Sequence, residues 1–279
     1  MTKSKNLKIL ITGGTGFLGK QIVKQLIKLN YNDITLLVRK KPKNFELNKF
    51  VNFKITKNIF LENYYKLKKN LNGVDILIHC AWYVNPIDYL YSEKNIECLI
   101  GTINLAKAAK ECNVKKFIGI GTCFEYDVKE EYLSTKTRIL PKTPYSACKA
   151  SVYFILKNLF FYSQTKFKWC RVFYLYGENE NSKRLYPLIK NKLENNEYLN
   201  LGEGKQIRDY MNVKNAAKMI VNYSLNNKIG PKNICSGIPI SIKDFALKIA
   251  KKMNKKNLLI FEKKKINRKF DPNIIVGIK

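Results

Sequence analysis

Histidine is almost missing: His79 is the only one in 279 residues. No Cys-x-x-Cys pair occurs either, so the usual ligand spacings of a zinc site are absent and no metal is expected. The seven cysteines, Cys80, Cys98, Cys112, Cys123, Cys148, Cys170 and Cys235, are odd in number, scattered and set in apolar segments. That is the pattern of reduced, core-filling thiols in a cytoplasmic protein rather than of a disulfide framework. No apolar run reaches membrane-spanning length, and the start Met1-Thr2-Lys3-Ser4-Lys5-Asn6 lacks a signal-peptide core, so membrane insertion is not expected. Acid is scarce as well, with 21 Asp and Glu against 52 Lys and Arg and a formal charge of +31. A dedicated nucleic-acid binder concentrates its charge on one face, arm or tail. Here lysine is spread along the whole chain beside much asparagine, as A+T-rich codons would give, so no specific nucleic-acid partner is expected. The densest runs, Lys40-Lys41-Pro42-Lys43 and Lys263-Lys264-Lys265, read as solvated surface, the first close enough to a bound cofactor to touch its phosphate. The excess charge would still attract an anionic ligand. Internal repeats and low-complexity linkers are also absent, and 46% hydrophobic residues suffice for a sizeable core.

What is present is Thr12-Gly13-Gly14-Thr15-Gly16-Phe17-Leu18-Gly19. An apolar run, Leu7 to Ile11, precedes it, and Ile22, Val23, Leu26, Ile27 and Leu29 follow at helical spacing. A glycine-rich loop between a first buried strand and a first helix is where a dinucleotide pyrophosphate binds, on backbone N–H groups and the helix dipole. Gly13 permits the turn, Gly16 lets the backbone approach the phosphates, and Gly19 lets the helix pack against the strand. A second strand, Ile34 to Val38, ends in Arg39 where an acid would bind the adenosine ribose hydroxyls. Arg39 can instead pair with a 2′-phosphate, which favours NADP(H), with NAD(H) as the alternative. Val51 to Ile55 reads as a third strand, followed by Asn58 where a polar contact to adenine is expected, and Leu61 to Leu71 as a helix. Val74 to Ala81 reads as a fourth strand whose last residues, Cys80 and Ala81, are small enough to leave room for a ligand. His79 beside them, without a paired carboxylate motif, reads as structural. Asn95 to Cys112 reads as a helix with Ile96, Leu99, Ile100, Ile103, Leu105, Ala106 and Ala109 buried.

A fifth strand, Lys116 to Gly121, delivers Thr122-Cys123-Phe124-Glu125-Tyr126 to the same crevice. The strand–helix alternation predicts an α/β fold with a parallel, doubly wound sheet. After Pro141-Lys142-Thr143-Pro144 come Tyr145 and Lys149, four apart and therefore on one face of a helix. An ammonium near a phenol favours its anion and lowers its pKa, so Tyr145 can exchange a proton with a substrate oxygen. Lys149 can also hold the nicotinamide ribose, and Thr122 can fix the reacting carbonyl.

On these residues, together with Arg171-Val172-Phe173-Tyr174-Leu175-Tyr176-Gly177 and Gly202 to Tyr210, the chain resembles the extended short-chain dehydrogenase/reductase superfamily in its nucleotide-sugar epimerase/dehydratase/reductase branch. The resemblance covers essentially the whole chain. It implies a Rossmann domain over 1–176 and a small α/β substrate-binding lobe over 177–279, with segments returning to the Rossmann domain. It implies Thr122, Tyr145 and Lys149 as the catalytic triad. The implied cofactor set is Gly13, Thr15, Gly16, Phe17, Leu18, Gly19, Arg39, Asn58, Cys80, Ala81, Tyr145 and Lys149. Thr122, Tyr145, Tyr174, Arg184 and Arg208 are implied to face a nucleotide-sugar substrate, Arg208 gripping its pyrophosphate with Asp209 to orient it. A homodimer is expected. Arg184 to Leu193, with Tyr186 and Pro187, would wall the substrate site, and Ile242 to Met253 reads as an amphipathic helix.

The chain departs from the pattern in informative places. Dehydratases of the branch follow the threonine with an Asp-Glu pair, and here Cys123 and Phe124 stand there, unable to do that acid–base work. Tyr174 replaces the usual Asn, and Thr135 and Lys136 stand where an acid is common. The resemblance therefore implies reduction of a nucleotide-linked 4-keto-(6-deoxy)sugar for surface glycans, with Tyr145 as proton donor. A C4 epimerase using the same triad with tightly bound NAD is the alternative, and a non-enzymatic cofactor sensor the remote one.

Overall fold

The computed structural model describes residues 6–262, 270 and 272–279. The basic run Lys263-Lys264-Lys265 lies outside the described residues.

Seven strands and four α-helices build the first part. They are β1 (Ile9–Thr12), α1 (Phe17–Lys28), β2 (Ile34–Val38), β3 (Asn52–Ile55), α2 (Tyr64–Leu71), β4 (Ile76–His79), α3 (Lys94–Glu111), β5 (Lys116–Thr122), β6 (Tyr132–Leu133), α4 (Pro144–Phe161) and β7 (Lys166–Val172). The remainder is β8 (Tyr174–Tyr176), α5 (Leu185–Glu194), β9 (Leu199–Asn200), β10 (Ile207–Arg208), β11 (Tyr210–Asn212), α6 (Val213–Leu225) and β12 (Gly230–Ile234). It closes with β13 (Ile240–Ser241), α7 (Ile242–Lys252), β14 (Leu259–Ile260) and β15 (Ile274–Gly277).

Seven strands form one parallel sheet in the order β12-β7-β5-β4-β1-β2-β3. Side chains alternate across it, so each strand feeds two cores. Ile9, Ile11, Ile34, Leu36, Ile76 and Ile78 meet α1 and α6 through Ile22, Leu26, Ala217 and Ile220. Leu10, Leu37, Leu77 and Phe117 meet the other face, through Leu67 and Leu71 of α2, Leu105 of α3 and Val152 and Leu156 of α4. The strand order reverses between β1 and β4, which opens a crevice at their carboxyl ends. The chain returns to this sheet late: β12 pairs with β7 as its edge.

The other strands are short. β13, β10, β15 and β6 make a four-stranded sheet, and β8–β11 and β9–β14 make two pairs. Under the last pair, Ile189 and Leu193 of α5 pack on Ala246 and Ala250 of α7 in a small separate core.

Two expectations change. α2 begins at Tyr64 rather than at Leu61, because Asn63 caps it by accepting from Tyr65 N at 2.9 Å. On α3, Leu105, Ala106 and Ala109 are buried as expected, but Ile96 and Ile100 are 52% and 53% exposed. Apolar residues encircle that helix, and the sheet and α4 cover only one side of it. Among the described residues, no helix is long and apolar enough to cross a membrane, and no cluster of His, Cys, Asp and Glu could hold a metal ion.

Candidate active site

A single cleft of 1810 Å³ runs along the carboxyl ends of the central strands and under the smaller sheets. Gly13, Thr15, Gly16, Phe17, Leu18, Gly19, Arg39, Asn58, Cys80 and Ala81 line one end of it. Thr122, Tyr145 and Lys149 sit further along, and Tyr174, Arg184 and Arg208 line the other end. All of these residues therefore face one continuous space, and of the expected wall Arg184 to Leu193 only Arg184, Leu185, Tyr186 and Leu188 reach it.

The first end is made of backbone. The chain turns after β1 at Gly13, whose φ is +67°, and a Cβ there would lie 2.7 Å from Ala81 N. Gly16 is the N-cap of α1 and offers no capping side chain, so amides of the first turn are left to be satisfied from outside. A Cβ on Gly19 would lie 2.2 Å from Gly13 O, so only glycine lets α1 approach the loop this closely. An uncapped helix N-terminus on a glycine turn fits a pyrophosphate. Arg39 is exposed at the rim, and Asn58 Oδ1 accepts from Phe60 N at 3.0 Å. His79 lies beneath the loop, with Nδ1 2.7 Å from Thr12 Oγ1 and Nε2 2.9 Å from Thr102 Oγ1. Burial, then the Lys149 charge, pulls its pKa down to about 3, so it is a neutral packing residue. Burial pushes the Cys80 thiol up to about 12, which keeps it protonated.

Two capping boxes place the reactive groups. Thr122 ends β5 and caps the single turn Cys123–Glu125: its Oγ1 accepts from Phe124 N at 3.3 Å, and Glu125 Oε1 accepts from Thr122 N at 2.8 Å. Thr143 caps α4 reciprocally with Ser146, and Pro144 occupies the first helical position. That start fixes Tyr145 in the first turn and Lys149 one turn later. Burial raises the Tyr145 pKa, opposed by a hydrogen bond with Thr122. The lowering of the phenol expected from Lys149 is not found: desolvation of the buried phenolate sets the direction, and Lys149 is not among the groups that act on it. The Lys149 ammonium is engaged elsewhere. Its Nζ donates to Ile120 O at 2.6 Å and sits 3.7 Å from the centroid of the Trp82 ring. Burial pulls its pKa down to about 8.

Sequence reading missed two groups. Behind Thr122, Glu125 is fully buried and accepts from Trp169 Nε1 at 3.0 Å and from Arg171 Nε at 2.7 Å. Trp169 reaches it across Gly121, where a Cβ would lie 2.3 Å from the indole nitrogen. Arg171 continues to Tyr126 Oη at 3.2 Å, and Tyr126 to Asn233 Oδ1 at 2.7 Å. Asn233 then donates to Leu133 O and Ile278 O, so the chain of bonds joins both parts of the molecule. The spacing Thr122-x-x-Glu125 is a capping-box signature and was the available signal. The second group is Trp82, next to Tyr83 in a stretch with no motif that marks it.

The far end of the cleft is aromatic. Tyr210 stacks on Phe245 at 4.0 Å and 10°, and Tyr176 packs on Phe245 and Tyr186 at 5.1 and 5.3 Å. Arg184, the N-cap of α5, lies 4.8 Å over the Tyr89 ring. Arg208 is buried; its Nη1 donates to Ile207 O at 2.9 Å and Asn273 O at 3.1 Å, with the guanidinium 5.3 Å over Tyr174. Asp209 is fully buried and accepts from Ser236 N and Oγ, Gly237 N and Gly277 N, so it anchors the turn after β12 and the end of β15. The two places after Thr122 are apolar in effect. Burial raises the Cys123 thiol, and Phe124 packs edge-on to Tyr174 and Phe270.

The NAD dependent epimerase/dehydratase family model matches residues 9–235. The dTDP-D-glucose 4,6-dehydratase of Dictyostelium discoideum is 28% identical over 87% of the chain, which spans 61% of that relative's length. The dTDP-6-deoxy-L-talose 4-dehydrogenase (NAD(+)) of Aggregatibacter actinomycetemcomitans is 22% identical, covering 85% of the chain and 87% of the relative. Among solved structures, the UDP-N-acetylglucosamine 4-epimerase from Methanobrevibacter ruminantium M1 superposes with a TM-score of 0.85 at 23% identity, over 98% of this chain and 90% of that one. That likeness concerns the fold.

Proposed function

The chain belongs to the NAD dependent epimerase/dehydratase family, and within it we propose a reductase of nucleotide-linked 4-keto-(6-deoxy)sugars. The observation that carries this reading is the wall beside Thr122. Cys123 and Phe124 present a protonated thiol and a ring there, so Tyr145 is left to handle a single proton. One proton and one hydride suffice to reduce a ketone, whereas eliminating water needs a further acid–base pair. The likeness to a relative named as a nucleotide-deoxysugar 4-dehydrogenase supports redox chemistry at C4.

A reduced nicotinamide, when bound, supplies the hydride. The glycine turn and the N-terminus of α1 would hold its pyrophosphate, and Arg39 a 2′-phosphate, which makes NADPH our preferred coenzyme over NADH. Lys149 would hold the nicotinamide ribose. Thr122 Oγ1 accepts from Phe124 N, and its hydrogen, which meets Tyr145 here, would turn to the substrate's C4 oxygen once substrate is bound. Tyr145 delivers its proton to that oxygen as charge develops, and the buried, neutral phenol is in the form that can do so. Arg208 and the Tyr210–Phe245 stack would receive the nucleoside diphosphate. The enzyme would work in the cytoplasm on sugars destined for surface glycans. A homodimer would cover the outward faces of α3 and α4, where Ile96, Ile100, Phe154 and Ile155 are exposed. Light scattering giving twice the chain mass is the check on that last point.

The test is to incubate the purified protein with a panel of nucleotide 4-keto-sugars and NADPH or NADH, following nicotinamide absorbance and identifying the sugars. Coenzyme oxidation matched by a reduced sugar is expected, faster with NADPH. Tyr145→Phe should lower kcat by about 100-fold or more while leaving coenzyme affinity unchanged. A changed sugar with no net coenzyme consumption would reassign the same three residues to C4 epimerisation.

A further inference from the structure

We propose that Trp82 is the positioning residue for Lys149: its indole face carries the ammonium, and Asn95 holds the indole in place. The proposal rests on the reading of Lys149 as the group that orients the ribose and Tyr145. A buried ammonium is ordinarily expected beside a carboxylate, yet the contacts of Lys149 Nζ are a carbonyl, Ile120 O at 2.6 Å, and the Trp82 ring at 3.7 Å. Tryptophan offers the strongest aromatic face for a cation, and the attraction grows where water is excluded.

The indole is itself fixed. Trp82 Nε1 donates to Asn95 Oδ1 at 2.8 Å. Asn95 is fully buried at the start of α3, and its Nδ2 donates to Tyr89 O at 2.7 Å and Ser92 O at 2.8 Å. Phe60 and Tyr145 meet the same ring edge to face, at 6.4 and 6.5 Å. One indole therefore touches both Tyr145 and Lys149 and sets their relative placement.

The other groups around Lys149 do not supply a free anion. His79 is neutral, and burial holds the Cys80 and Cys98 thiols protonated, at about 12 and about 11. Glu125 acts on the lysine from behind Thr122, but it is bonded to Arg171, Trp169 and Thr122 N. The indole thus does what a carboxylate would do, without placing a negative charge where substrate phosphates and a developing alkoxide must come.

The test has two arms. Trp82 and Trp169 are the two tryptophans, so indole emission, excited beyond the tyrosine absorption, reports on Lys149 against pH without any substrate. The wild type should show an inflection near pH 8, lost both in Trp82→Phe and in Lys149→Met, with thermal melts confirming that each variant folds. In turnover, the basic limb of the kcat profile should move down by about half to one pH unit in Trp82→Leu and by less in Trp82→Phe. An inflection that survives in Trp82→Phe, or a basic limb unchanged in folded Trp82→Leu, would overturn the proposal. If no nucleotide sugar turns over but the inflection behaves as stated, the contact stands and the assigned reaction falls.

Discussion

The two ends of the cleft are built from different materials. At the end we assign to coenzyme the floor is backbone: Gly13 and Gly19 are needed for what they lack, and a single methyl at Gly19 would collide with Gly13 O. At the end we assign to substrate the lining is large side chains, with Tyr176, Tyr186 and Tyr210 packed ring on ring over the buried Phe245, and Arg184 and Arg208 lying over tyrosines. A backbone cradle recognises what all dinucleotides share and tolerates little substitution. An aromatic wall can be recut residue by residue to suit one sugar nucleotide, because each ring contributes its own area and shape.

The Glu125–Arg171 pair lies between the two ends, behind Thr122, and breaking it should give the largest effect. Glu125→Gln leaves the Arg171 guanidinium buried without its counter-charge, which costs about 3–5 kcal/mol. Chemical denaturation should register that loss, and coenzyme and nucleotide sugar should both bind more weakly. If only one ligand is affected, the network serves one end rather than both. Gly19→Ala separates the ends. Forcing a methyl into that contact costs about 1–3 kcal/mol, so coenzyme affinity should fall by up to about 100-fold by calorimetry. Nucleotide-sugar affinity should stay within about twofold.

The same contrast explains what could be read from the chain. Glycines required by a turn or a close approach recur at fixed spacing, so the loop after β1 was legible, as were the strand–helix alternation and the residues Thr122, Tyr145 and Lys149 that line one cleft. Tyr176, Tyr210 and Phe245 come from β8, β11 and α7 and share no period, so nothing local announces that they stack. Periodicity marked Ile96 and Ile100 as apolar, but which side of α3 gets covered depends on where α4 and the sheet lie. The phenol of Tyr145 was misjudged for a related reason. Sequence spacing shows that a lysine is one turn away, whereas the depth of burial that raises the phenol, and the engagement of the ammonium by Ile120 O and Trp82, belong to the folded cleft.

Glu180 offers the finest test of the substrate end. It follows β8 and lines the cleft near Arg184, and its carboxylate accepts from Gly177 N at 3.3 Å. Burial raises its pKa to about 7, against the opposing pull of that hydrogen bond and of Arg184. A carboxyl whose folded pKa lies above its unfolded value is accommodated at no cost below the unfolded value, near 4.5, where it is neutral in both states. Stability from this group is then lost as pH rises through about 7, because the unfolded chain releases the proton first. Glu180→Gln should therefore match the wild type near pH 4.5 and exceed it at pH 8 by on the order of 2 kcal/mol. Denaturant titrations at both pH values measure the difference. A gain of equal size at both would mean that packing, not charge, sets the cost, and the substrate end would then resemble the coenzyme end in being limited by shape.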